Sequence, residues 1–392
     1  MARIYTANYL FTGDAPPLVG GALLAVDGQI AAVGPLADVK RANPAVEIVD
    51  YPDAVITPLL INAHTHLELT DFPAWAKAAG EAAEPDGFVD WILRLIRIKR
   101  TLSKKHYDRS LLNGIQQSIA AGTGAVGDIL SQHSCRRLYY GADLKGVLFL
   151  ESLGRNPEII NHVKLELRSV LAEQQIGQVR LGLSPHSPYS ISAAYLSDIY
   201  TKCRQEKLPC TTHLAESSAE VEFIMRSSGE LASRFYPRVG WEYLIPPPSG
   251  CRPTEYLQQC GGLFPGNLLV HGVQLTTDEI NLIAAARMHL VLCPRSNSRL
   301  KVGTAPVAKL LAAGVNLALG TDSMASNNNL SVWDEMAFAH RCFSGSLDAP
   351  TLLRMATLGG AEALGVEGRL GSLSTGKNAS FQIPAEDRCC RK

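Results

Sequence analysis

Short apolar runs alternate with amphipathic stretches of helical length along most of this chain, and that rhythm restricts the fold more than any other feature. The runs fall at 54–63, 123–129, 145–151, 179–184, 208–213, 267–271, 289–293 and 315–320. Between them, 88–102, 107–121, 193–206 and 276–287 carry apolar residues at helical spacing. A strand feeding a helix eight times predicts an α/β chain, a (β/α)8 TIM barrel whose parallel strands are buried on both faces. At 392 residues the chain has room for that barrel and a small appendage. The barrel is predicted over 58–367. Residues 1–57 read as short strands at 4–7, 22–26 and 30–33, with Asp27-Gly28 as a hairpin turn. Strand-like chemistry returns within 368–392, at Gly371-Ser372-Leu373 and 379–383, so both ends are expected to share one small β-domain.

Each run ends in a polar residue suited to metal or proton chemistry. His64-Thr65-His66 follow the first, His186 the fourth, His213 with Glu216 the fifth, His271 the sixth and Asp322 the eighth. The C-terminal edge of a barrel's strands is where active sites are built. In a strand, residues i and i+2 point the same way, so His64 and His66 can meet one cation. An isolated His-x-His pair is more often structural than ligating. His213 and Asp322 change that balance, because three imidazoles and one carboxylate form a suitable shell for Zn2+ or Fe2+ with a position left for water. Insertions at 67–87 and 227–266, the latter with Pro246-Pro247-Pro248, are expected to shape the mouth of the site.

Composition narrows the partners. Lys+Arg and Asp+Glu both number 37, so no charge excess points to nucleic acid or an anionic membrane surface. No apolar run is long enough to span a bilayer, and the first residues do not read as a signal peptide. Nine cysteines without a Cys-x-x-Cys pair do not form a disulfide framework, and Cys389-Cys390 lie in a polar tail. A cytoplasmic enzyme acting on a small molecule is expected, with a homodimer as the base-rate assembly.

The strings Asn62-Ala63-His64-Thr65-His66-Leu67-Glu68, Ser184-Pro185-His186-Ser187-Pro188-Tyr189, His213-Leu214-Ala215-Glu216, Cys293-Pro294-Arg295-Ser296-Asn297 and Gly320-Thr321-Asp322-Ser323 resemble the amidohydrolase superfamily. Within it they resemble the branch of chlorotriazine hydrolases, guanine deaminase and S-adenosylhomocysteine deaminase. The resemblance implies one divalent metal on His64, His66, His213 and Asp322, Zn2+ first and Fe2+ second. It also implies a composite β-sandwich from both termini. Binuclear members carry a bridging lysine at the end of the fourth strand. Here that strand ends Ser184-Pro185-His186 and Lys145 starts the third, so a single metal is expected. The resemblance gives Glu216 the role of proton shuttle, protonating a ring nitrogen and then the departing ammonia. His271 polarises the attacking water, and Asp322 accepts its proton. Glu216 could equally be a carboxylate at a helix N-terminus, and His271 a core histidine.

Three further residues are expected to touch substrate: His186 at the ring or leaving group, Glu68 at ribose hydroxyls, and Arg295 at an anion. Phe88, Trp91 and Tyr189 are candidates for stacking on a purine. Glu68 after the histidine pair, with the string from Gly320 to Asn327, looks most like aminodeoxyfutalosine deaminases of the alternative menaquinone route. That substrate joins an adenine nucleoside to a benzoate, for which Arg295, Arg299 or Arg155 would supply the cation. S-adenosylhomocysteine or methylthioadenosine deamination, guanine deamination and a chlorohydrolase stay open at this point. A non-catalytic metal-binding scaffold is the alternative from a different class; it would be favoured by a lost ligand or a lost Glu216, and none is missing.

Overall fold

Eight parallel strands pair in chain order in the computed structural model, which describes residues 1–81 and 83–384. They are Leu60–Thr65, Thr123–Leu130, Lys145–Ser152, Val179–Pro185, Cys210–Leu214, Asn267–His271, His289–Leu292 and Asn316–Leu319. The ring closes just beyond the last of them: the Asp322 amide donates to the His64 carbonyl at 3.1 Å, and Thr65 bridges Asp322 in parallel. Closure and the metal-binding residues predicted from sequence therefore coincide. Gly320 permits the approach, since a Cβ there would lie 2.7 Å from the His64 carbonyl oxygen.

The side chains explain why these runs read as continuously apolar. Ile61, Ala63, Ala125, Ile129, Val147, Phe149, Val270, Val291 and Ala318 fill the barrel interior. Their strand neighbours Leu60, Val126, Leu130, Leu148, Leu150, Leu290 and Leu317 face the surrounding helices in a second core. Both faces are buried, as a parallel sheet requires. The predicted helices form at Phe88–Lys99, Lys104–Ala120, Ala193–Glu206 and Thr277–Ala285. The run at 54–63 divides differently. Its first half belongs to a strand of the terminal sheet, Ile48–Pro58, and only Leu60–Thr65 enters the barrel.

The smaller layer is a six-stranded mixed sheet drawn from both ends. Its order is Phe381–Gln382, Ile48–Pro58, Ala2–Leu10, Gly21–Val26 and Gln29–Pro35, with Leu18–Val19 paired to Ala2–Leu10. Asp27 (φ 48°) and Gly28 (φ 81°) form the hairpin corner, and two consecutive left-handed residues are what a type I′ turn requires. From the C-terminal side, Phe381 and Gln382 pair with Pro58 and Thr57, and the Leu373 amide donates to the Thr12 carbonyl at 2.7 Å. The polar end with Cys389-Cys390 lies outside the described residues.

Of the two insertions, 227–266 contributes more to the site. Its segments Leu231–Phe235 and Tyr236–Arg238 bring Phe235, Tyr236 and Trp241 against Phe223 and Tyr189, with ring centroids 4.7–6.1 Å apart. Among the described residues no helix is long and apolar enough to cross a membrane.

Candidate active site

The strand ends converge as the spacing predicted. His64, His66 and His213 each present a ring nitrogen, and these atoms lie within 4.8 Å of one another. Asp322 Oδ1 stands 3.6 Å from His64 Nε2 and 3.7 Å from His66 Nε2. The other Asp322 oxygen is held from behind by Ser296 Oγ at 2.6 Å and Ser326 Oγ at 2.8 Å. The His213 Nδ1–H donates to the His186 carbonyl at 2.7 Å, which fixes the tautomer and leaves Nε2 for a cation. His64 Nε2 is buried and has no hydrogen-bond partner among the described residues. A buried imidazole nitrogen left bare among three others is unfavourable unless a cation takes its lone pair, so the donor set fits a divalent metal.

The electrostatics agree. Burial holds the imidazoles neutral: His213 is pushed down to about 3 by desolvation, reinforced by His186 and His271, and His66 lies well below the usual histidine range. Neutral imidazole is the ligating form. Burial alone would raise Asp322, but the close approach of His64, then of His66 and His271, holds it well below the usual carboxylate range. Glu216 behaves oppositely. Desolvation first, then Asp322 and Glu220, push its carboxyl well above the usual range. Two carboxyls in one pocket are thus pushed in opposite directions, Asp322 down and Glu216 up.

Glu216 reaches the site through a strained turn. Ala215 adopts φ 51°, and Glu220 accepts the amides of Ala215 at 3.0 Å and Glu216 at 2.9 Å. Ser217 caps the following helix, accepting from the Glu220 amide at 3.2 Å. The Glu216 Oε1 then lies 3.6 Å from His271 Nε2. His271 Nδ1–H donates to Asn297 Oδ1 at 2.9 Å, directing Nε2 at Glu216. His271 (φ 73°) and Asp322 (φ 55°) share the left-handed conformation of Ala215, and such strain at three strand ends is what a positioned site stores. Asp322 is braced further by Asn327, which donates to the Thr321 carbonyl at 2.7 Å and to Glu335 at 2.6 Å.

These groups occupy the inner end of a cavity of about 460 Å3. His186 lines it, with Nδ1 engaged by Ser187 and Ser190 at 2.9 and 2.8 Å. The body of the cavity is apolar and aromatic: Leu69, Trp91, Ile92, Leu95, Tyr189, Phe235 and Trp241. Trp91 Nε1 donates to the Ala325 carbonyl at 3.0 Å, fixing its ring. Phe88 stands behind Trp91 and Tyr189 and leaves the wall to them.

Two expected substrate contacts are corrected. Glu68 is fully buried beneath the wall, its oxygens taken by the Ser131 amide at 3.1 Å, the Ser131 hydroxyl and the Gln132 amide at 3.0 Å. It ties two loops together and has no face toward ribose. Arg295 donates to Asn329 Oδ1 at 2.8 Å and lies 3.7 Å from buried Glu335, away from the cavity. Arg299 is engaged by Glu84 and Asn328. Arg155 is buried between the Phe223 and Tyr236 rings and donates to the carbonyls of Pro188 and Tyr189. The cations on the wall are Lys99 and Arg100, and a carboxylate, Glu151, stands there too. Glu220, Ser296, Asn297 and Ser326 were not singled out from sequence. Ser217-x-x-Glu220 reads there as an ordinary capping box.

A sequence model of the amidohydrolase family matches residues 55–386, and the chain belongs to that family. It is a hydrolase of carbon–nitrogen bonds other than peptide bonds. Its relatives are adenine-type nucleoside deaminases. A 5-methylthioadenosine/S-adenosylhomocysteine deaminase of Syntrophobacter fumaroxidans is 33% identical over 93% of this chain and 79% of its own. An aminodeoxyfutalosine deaminase of Deinococcus radiodurans is 32% identical over 93% and 86%. Among solved structures, an adenosine deaminase from Xanthomonas campestris with bound zinc superposes with a TM-score of 0.78 at 26% identity, covering 97% of this chain and 84% of that one. Helicobacter pylori aminofutalosine deaminase in complex with methylthio-coformycin shares the fold, with a TM-score of 0.83 at 23% identity over 97% and 91%.

Proposed function

We propose that this chain is a metal-dependent deaminase of an adenine-type nucleoside, with 6-amino-6-deoxyfutalosine as the favoured substrate. The observation that carries the reading is that one end of a single cavity brings Glu216 and Asp322 together beside three converging imidazoles, the first carboxyl pushed above and the second held below the usual range. Hydrolytic deamination needs one carboxyl that gives a proton and one that takes a proton, and they must stay in opposite states at the same pH.

His64, His66, His213 and Asp322 would hold the metal, with Zn2+ favoured by the donor set and by the zinc in the Xanthomonas neighbour. When bound, such an ion polarises water and brings its pKa to about 7. Asp322 Oδ1 takes the proton that this water loses on attacking the amine-bearing ring carbon. His271 Nε2, aimed from the other side, orients the same water. Glu216 donates its proton to the adjacent ring nitrogen, so the tetrahedral carbon forms without unbalanced charge. Asp322 passes its proton to the amino group, which leaves as ammonia, and the hydroxyl proton on the tetrahedral carbon returns to Glu216 as the ring carbonyl forms: water and the amine enter, ammonia and the oxo-purine depart. The aromatic body of the cavity excludes bulk water and offers Tyr189 and Trp91 faces to the purine.

The preference for 6-amino-6-deoxyfutalosine is supported by the string from Gly320 to Asn327 and by the Deinococcus relative. The Syntrophobacter relative supports methylthioadenosine and S-adenosylhomocysteine as the second reading. Ammonia release from 6-amino-6-deoxyfutalosine, S-adenosylhomocysteine, methylthioadenosine, adenosine and guanine by metal-reconstituted enzyme tests both. Fast release from the first alone is expected. Silence across the panel with metal present would overturn the adenine reading.

A further inference from the structure

We propose that the wall formed by Lys99, Arg100 and Glu151 reads the part of the nucleoside remote from the reacting ring, Lys99 and Arg100 receiving a carboxylate and Glu151 the ribose hydroxyls. The inference rests on the nucleoside-deaminase reading above and assigns its specificity to groups outside the metal-binding set.

The first ground is which charges around the mouth are already satisfied. Arg97 pairs with Glu81, Arg234 with Asp90 and Glu230, Arg295 with Glu335, and Arg299 with Glu84. Arg100 has no ion pair among the described residues and is exposed on the cavity rim. Lys99 spends one donor on Ser131 Oγ at 2.9 Å. Its nearest carboxylate, Glu68 at 3.9 Å, already accepts two amides and a hydroxyl. An ammonium has three donors, so Lys99 keeps two for a ligand. The two cations are adjacent where the helix Phe88–Lys99 ends, and the helix dipole favours them there but does not neutralise them.

The second ground is the position of Glu151. It ends the third barrel strand opposite Ser184, in the register that carries His186 just beyond. It lines the cavity, yet no side-chain hydrogen bond or ion pair engages it among the described residues. A carboxyl side chain there can accept from hydroxyls. The cavity therefore joins the histidines, a hydroxyl acceptor near a barrel strand's end, and two cations where the helix bearing Trp91 ends, with Arg100 exposed on the rim. That set of groups suits a nucleoside whose base meets the histidines, whose ribose hydroxyls meet Glu151, and whose 5′ extension is an aryl group ending in a carboxylate that meets the cations.

The test compares 6-amino-6-deoxyfutalosine with its primary carboxamide isostere, which differs only in the charge at the far end. Wild-type enzyme should prefer the carboxylate by about tenfold or more in kcat/KM, the usual worth of a charge-assisted contact. Arg100→Glu and Lys99→Met should each erase most of that preference, chiefly through KM for the carboxylate. Arg100→Lys should retain it, because charge and not packing is at stake. Glu151→Gln should raise KM more for the ribonucleoside than for its 2′-deoxy analogue. A wild-type enzyme indifferent to the charge, or variants that lose both substrates equally, would overturn the assignment. If wild type released ammonia from neither compound but did so from guanine, the underlying adenine reading would fail instead.

Discussion

The two ends of the cavity are built on opposite rules. At the inner end several functional groups lean on a second partner. Asp322 leans on Ser296 and Ser326, His213 on the His186 carbonyl, His271 on Asn297, and the Glu216 turn on Glu220. At the outer wall Arg100 and Glu151 have no charged partner among the described residues, and Lys99 has donors to spare. A group held from two sides is oriented in advance, which lowers the cost of reaching a transition state. A group with spare valence is left to bind whatever substrate completes it. The molecule thus separates chemistry from selection along one cavity, and substitutions at its two ends should fail differently.

The comparison predicts effects of graded size. Removing the metal by chelation should abolish turnover with every substrate, and added Zn2+ should restore it, as paired metal content and ammonia release would show. Glu220→Ala should follow. It strips the acceptor from two buried amides, which costs about 1–3 kcal/mol for each unsatisfied group. It should lower kcat by about 10- to 100-fold while KM changes little. A larger change in KM than in kcat would break the distinction between the two ends. Ser296→Ala should weaken metal affinity by about tenfold, measured by competition with a chelator, because Ser326 still holds Asp322.

The smallest effect concerns Asp128, which accepts from the Leu67 amide at 2.8 Å and Tyr139 hydroxyl at 2.7 Å under the first strand's end. Burial pushes its carboxyl up to about 8, against the hydrogen bonds that lower it. Its folded pKa is thus raised above the unfolded value of about 3.9. Its stabilisation is full below about pH 4 and is lost as pH rises toward 8. Asp128→Asn should flatten this slope, so the difference in Tm between variant and wild type should shift in the variant's favour between pH 5 and pH 8. Parallel melting curves would contradict it.

What the sequence disclosed follows the same division. The barrel and the polar residues at its strand ends were legible because a strand and the residue that ends it are local facts: His64, His66, His213, His271 and Asp322 all sit where short apolar runs stop. The outer wall was not. Glu68 follows the histidine pair by two residues, yet its partners Ser131 and Gln132 are 63 and 64 residues away and turn it inward. Arg295 beside a conspicuous Cys-Pro is claimed by Glu335, 40 residues on. Lys99 reads in sequence as an ordinary cation closing a helix, and only the packing of that helix over the barrel mouth makes it part of a cavity. Local spacing specifies what ends a strand. Which charge stays free is decided by distant partners.

The most direct test of the account is Glu216→Gln, loaded with metal and compared with wild type on 6-amino-6-deoxyfutalosine. The glutamine keeps the size of the side chain and cannot carry the proton. Metal content should be unchanged, and kcat should fall by about 10³-fold, the usual worth of a positioned general acid–base. Near-normal ammonia release from the fully metallated variant would contradict the claim that Glu216 moves the proton.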